Sequence, residues 1–234
     1  MHKEYYVEEL QAWMSGFQRK LEVSIQRVRA DIDVTNRVCR EWDDANNRLA
    51  YIREEIRTLQ EQLMYCSMVL GDDPELQRLA ALRRQAIQDE ISHKVCEQTI
   101  LQKALAEATS EMQKMYRTLT SDGYFFDLKH ALQESQTVRE KAADYQEKVQ
   151  KAEIILAGFG SQGNTYARHV IENVTAPKKQ IITLTEIQRN LLAQEKRIMF
   201  CYQDGYNAIQ AIFGRIGDEG VPLSHEQKHI PYRL

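Results

Sequence analysis

A chain of 234 residues with 43% apolar side chains can bury a sizeable core, and a formal net charge of −3 lacks the basic excess of a nucleic-acid binder. Ten glycines and four prolines over that length argue against many short strands and for long helices. No apolar run approaches the ~18 residues of a membrane span, and the opening Met1-His-Lys-Glu-Tyr-Tyr-Val lacks the apolar stretch of a secretory leader, so a cytoplasmic protein is expected.

In chain order, the first element is a helix over about 5–70. Leu10, Met14, Phe17, Leu21, Ile25, Val28 and Ile32 recur at steps of three and four, the spacing of one helix face. The stripe then shifts phase. It resumes at Trp42, Ala45, Leu49, Ile52, Ile56, Leu59, Leu63, Cys66 and Leu70 in strict three-four alternation, the pattern of a coiled coil. The shift between Ile32 and Trp42 reads as a stutter or a change of packing partner.

Gly71-Asp72-Asp73-Pro74-Glu75 ends this helix and starts the next. Gly71 suits a C′ position, Asp73 an N-cap, Pro74 the first turn, and Glu75 the positive end of the new dipole. The second helix spans about 74–119, with an early stripe through Leu76, Leu79, Ile87 and Ile91 and a regular one from Leu101 to Leu119. After Thr120-Ser121-Asp122-Gly123, a third helix spans about 124–157, its stripe from Leu128 through Ser135 and Ala142 to Leu156. These three form a long-helix region, 1–157.

Residues 158–234 are read as a glycine loop, a short helix over 165–174, a break at Thr175-Ala176-Pro177, a fourth long helix over about 183–216 and an irregular tail. Thr183 and Glu186 have capping-box spacing for that fourth helix.

Gly158-x-Gly160-x-x-Gly163 lies between two β-branched runs, Glu153–Ala157 and Gln180–Thr185, and is followed by Glu186. Over 151–187 this order resembles the glycine-rich turn of Rossmann-type dinucleotide-binding proteins. The resemblance implies a pyrophosphate against the glycines and a ribose on Glu186. Against a sheet, Ile154 to Leu156 continue the third helix's stripe, and only about 80 residues remain for a doubly wound fold. An interhelical loop is therefore the expected role of the glycines.

Glu90-x-x-His93 has the spacing of a di-iron carboxylate bundle, but the one second copy, Glu226-x-x-His229, falls in the tail; a solvated helix face is expected. His130 and His169 stand alone, and no nucleophile–base pair is suggested. Cys39, Cys66, Cys96 and Cys201 form no CxxC pair and are expected to be free thiols.

The first helix outreaches the second by roughly 25 residues at 1.5 Å per residue. Tyr5, Tyr6, Leu10, Trp13, Phe17 and Leu21 crowd that end, and interfaces favour Tyr and Trp. They are the candidate interaction surface, with packing on the fourth helix as the alternative.

The expectation is an all-α protein: a long antiparallel coiled coil or helical bundle of three to four long helices with a shorter helical appendage. It is expected to be a non-enzymatic structural or adaptor protein. It would act through coiled-coil contacts with itself, as a homo-oligomer, or with protein partners, using no cofactor, metal or nucleic acid. A membrane-associated helical hairpin is the first alternative, opposed by the near-neutral charge. A nucleotide-binding protein using Gly158, Gly160, Gly163 and Glu186 is the second.

Overall fold

The computed structural model describes residues 3–68, 73–159 and 165–217, of which 3–6, 156–157, 159 and 165–178 are described by their backbone alone. These residues form four α-helices: α1 (Lys3–Met68), α2 (Pro74–Leu119), α3 (Phe126–Phe159) and α4 (Thr165–Ile216). No strand occurs among the described residues.

The helix ends follow local chemistry. Asp73 adopts an extended backbone, and its Oδ1 accepts from the Glu75 N–H at 2.9 Å, with Pro74 in the first turn. The cap satisfies an amide that has no partner within the helix. α2 ends at Leu119, where the Thr120 N–H donates to the Tyr116 carbonyl at 2.9 Å. Gly217 follows α4 with φ +58, the left-handed conformation in which a helix commonly stops.

Two expected features at the start of α4 are corrected. The helix runs on through Thr175-Ala176-Pro177, with no short helix before it and no new start near Thr183. The Thr183 hydroxyl instead donates to the Lys179 carbonyl at 3.0 Å, one turn back within the helix. A proline removes one backbone bond and bends a helix, but it need not end one whose flanks are held. Here Gln180, Leu184, Ile187 and Leu191, all buried on one face, hold the chain helical from the first turn after Pro177.

The chain divides within α1 and α4, not at 157/158. Unit 1 comprises Met1–Ile32 with Ser121–Asn207; unit 2 comprises Asp33–Thr120 with Ala208–Leu234. The phase shift in α1 therefore coincides with a change of packing partner. Its stripe is continuous in space, because Thr35, fully buried, fills the step after Ile32 and is followed by buried Val38 and Cys39.

In unit 1, the start of α1 packs with α3 and most of α4. Leu21, Ile25 and Val28 of α1, Leu128 and Ala142 of α3, and Leu184, Leu191 and Ile198 of α4 make its core. Each such Leu, Ile or Val side chain taken from water contributes about 1.5–3 kcal/mol. The α2–α3 connection is pinned to this core. The Tyr124 hydroxyl donates to Asp31 at 2.6 Å, and the Tyr202 hydroxyl donates to the Phe125 carbonyl at 3.1 Å. Burial raises both phenols above the ordinary tyrosine range, Tyr202 to about 12.

Phe125 lies over Gly205 of α4, where a Cβ would stand 2.7 Å from the ring. That ring is bracketed by Tyr124 and Tyr202, with centroids at 4.8 and 5.1 Å. Gly205→Ala gains about 1 kcal/mol of helix propensity but forces the bracketed ring outward. A net loss of roughly 1–2 kcal/mol is expected, read as a lower urea midpoint. A raised midpoint would mean that the connection yields freely.

In unit 2, α1 beyond Asp33 packs with α2 and the end of α4. Where α4 contributes, the core closes: Val38 and Cys39, Met112, Met115 and Tyr116, and Ile209 and Ile212 are all buried. Farther along, among the described residues of unit 2, α1 is the helix beside α2. Between Ile87 and Met112 no α2 residue is buried, although Leu49, Ile52, Ile56 and Leu59 of α1 are.

Candidate interaction surface

Leu10, Met14, Phe17 and Leu21 of α1 lie inside the fold. Leu10, Phe17 and Leu21 are buried, so they are corrected from candidate interface to core of unit 1. The physical reason is that α3 and α4 cover the length of α1 that α2 does not reach. Trp13 is half-buried, stacks on Phe17 at 4.8 Å between centroids, and donates its indole N–H to Glu134 of α3 at 2.9 Å. The side chains of Tyr5 and Tyr6 lie outside the described residues.

The glycine motif is not supported as a dinucleotide turn. Glu153–Ala157 and Gln180–Thr185 are helical, in α3 and α4, so the strands that would present such a turn are absent among the described residues. Gly158 belongs to the last turn of α3, while Gly160 and Gly163 lie outside the described residues. Glu186 is an exposed residue of the α4 interior. Glu90 and His93 are both exposed, Glu226 and His229 lie outside the described residues, and no cluster able to hold a metal occurs among those described. His130 is exposed, 3.9 Å from Glu134; the His169 side chain lies outside the described residues.

Polar side chains between helices mainly fix register. In unit 1, buried Glu195 accepts from the Ser135 hydroxyl at 3.1 Å and from Arg139 at 2.9 Å. Arg197 donates to Glu22 at 2.6 Å, holding the Glu22 carboxyl below its ordinary range. These last two border a shallow groove with Ser15, Gln18, Arg19 and Gln194, and their charges are already paired with each other.

In unit 2, Arg215 grips Asp43 through two nitrogens, one at 2.9 Å, and the Trp42 indole donates to Thr109 at 3.1 Å. Lys94 lies 2.8 Å from Glu55, which lowers the carboxyl's pKa and raises the ammonium's. Burial pushes the Cys39 thiol up, as it does Cys201, which suits inert core thiols. All four cysteines are free.

Several large apolar side chains are exposed on the α1–α2 stretch. On α1, Met64, Tyr65 and Met68 are exposed; on α2, Leu76, Leu79 and Leu82 are 57%, 55% and 59% exposed. Leu76 and Leu79 were expected to face α1. Instead Ala80 and Arg84 are the more covered positions in those turns, and Ile87 is the first buried one. Helical spacing alone fits either set, because residues three and four apart share a face. Leu76, Leu79 and Leu82 are the strongest candidate functional surface, and no periodic signal toward a named partner could have singled them out.

Comparison with known protein families, curated proteins and solved structures finds no match. No helix among the described residues is long and apolar enough to cross a membrane.

Proposed function

We propose that this is a non-enzymatic structural or adaptor protein acting through helix–helix contacts in an oligomeric assembly, with α1 and α2 forming an antiparallel coiled-coil hairpin. The hairpin reading is supported by the order of cross-helix pairs. Cys39 meets Met112, Trp42 meets Thr109, Arg48 meets Glu97 and Glu55 meets Lys94, so partner numbers fall as α1 numbers rise. The three-four alternation from Ala45 to Leu59, buried at each step, supports the coiled coil.

The observation that carries the functional reading is the group of exposed leucines on α2, beside a stretch where two helices cover each other incompletely. Clustered exposed apolar side chains mark contact sites. The test is cross-linking and mass spectrometry of the tagged full-length protein in its native cell, with sedimentation of the purified chain. Cross-links between copies, or a stoichiometric partner on the α1–α2 stretch, are expected. A monomer with neither would sink the reading.

One observation favours a second reading. Arg78, Arg83 and Arg84 lie among the same leucines, a mixture suited to the surface of an anionic bilayer. Asp73 and Glu75, on the same turns, oppose it. Pelleting with phosphatidylserine vesicles, lost in Leu79→Glu, would favour the membrane; no pelleting removes it.

A further inference from the structure

We infer that the exposed face of α2 around Leu79 is a self-docking surface, where α2 meets the α2 of a second copy of this chain, antiparallel and about a two-fold axis. This rests on the association reading above and names its interface. When a helix pairs with its own copy this way, the residues that face each other have numbers with a constant sum. With the axis at Leu79, that residue meets itself. Leu76 then meets Leu82 of the second copy, and Leu82 meets Leu76.

The charges obey the same arithmetic. Glu75 meets Arg83 of the second copy, and Arg83 meets its Glu75. Both are exposed, and among the described residues neither side chain has an ion-pair partner within this chain. They stand eight residues apart, roughly 12 Å along the helix. The two-fold therefore places one opposite-charge pair on each side of the leucines. Shifting the axis by one turn in either direction loses this match: centred on Leu82, Glu75 would face Asp89, and centred on Leu76, Arg83 would have no residue of α2 opposite it, since α2 starts at Pro74.

The leucines fall within an arc of roughly 120° centred on Leu79, which lies roughly 80–140° around the helix from the more covered Ala80, Arg84 and Ile87. Docking this face thus leaves the α1–α2 packing intact. The apolar strip supplies the driving force, and the flanking charges set direction and register.

The experiment is sedimentation velocity of the full chain over a concentration series, with circular dichroism to confirm that each variant is folded. The parent is expected to form dimers. Leu79→Glu brings two carboxylates together on the axis and should weaken the dimer by about tenfold or more. Glu75→Arg and Arg83→Glu each oppose like charges and should weaken it comparably.

An equimolar mixture of Glu75→Arg protein and Arg83→Glu protein should recover the dimer, since each copy then offers the charges that the other lacks. A parent dimer untouched by Leu79→Glu, or a mixture that stays monomeric, overturns this interface and leaves the association reading standing. A parent that is monomeric throughout also overturns it, and the association reading then depends on a different partner.

Discussion

Replacing Leu191 by Ala is expected to cost about 2–5 kcal/mol of unfolding free energy. Leu191 is fully buried on the α4 face that packs in unit 1, one turn from Ile187 and two from Leu184 and Ile198. Truncation forfeits the transfer of its methyl groups from water and leaves a space lined by side chains on rigid helices. Domains of this size are stable by only about 5–15 kcal/mol, so the variant should show a markedly lower urea midpoint. The neighbouring Leu192 is 43% exposed, and its change to Ala should stay within roughly 0.5 kcal/mol. The two substitutions are chemically identical and adjacent in sequence. Equal effects would refute the packing assigned to α4.

Replacing Glu195 by Ala is the second large effect, and its size depends on what takes the carboxylate's place. Glu195 is 5% exposed, and its one bonded oxygen serves both Ser135 and Arg139. Ala removes the acceptor, strands the fully buried Ser135 hydroxyl and opens a space in the core. A loss of about 2–4 kcal/mol is expected. Arg139 is partly exposed and can turn to water, which keeps the loss below that of a fully buried pair. Leu fills the volume and needs no partner, so Glu195→Leu combined with Ser135→Ala should recover most of the stability. Chemical denaturation of the two variants checks the order. If Glu195→Ala is no worse than the double variant, the buried bonds contribute nothing. Leu191 and Glu195 are one turn apart, so combining their Ala variants should give less than the sum.

The all-helical fold and the α2 limits were legible because apolar periodicity and capping are local signals. Asp73-Pro74-Glu75 announced a helix start, and the structure shows the cap itself. In α1 and α4 the spacing of large apolar residues breaks after Ile32, between Leu191 and Ile198, and between Tyr202 and Ile209. In the fold these are filled by Thr35, Glu195 and Gly205, all buried. A count of apolar residues passes over each. Thr35 lies beside the boundary between units, Glu195 anchors a polar cluster, and Gly205 receives a ring from a distant connection.

The candidate surface was misplaced for a related reason. Leu10 to Leu21 looked unpaired because α2 is too short to cover them, and nothing in sequence spacing reports that α3 and α4 do so. Leu76 and Leu79 looked internal because they fit a helical stripe, yet Ala80 and Ile87 fit one too. Only the neighbour decides which stripe turns inward.

The chain has two tryptophans, and one falls in each unit: Trp13 in the first, Trp42 in the second. Each indole N–H is held by a side chain of another helix, Glu134 of α3 for Trp13 and Thr109 of α2 for Trp42. Intrinsic fluorescence is thus already partitioned by unit. Changing one indole to Phe leaves an emission band that follows the surroundings of the other alone. Two such single-tryptophan proteins can time the loss of α1–α3 and α1–α2 packing separately, without dye or label.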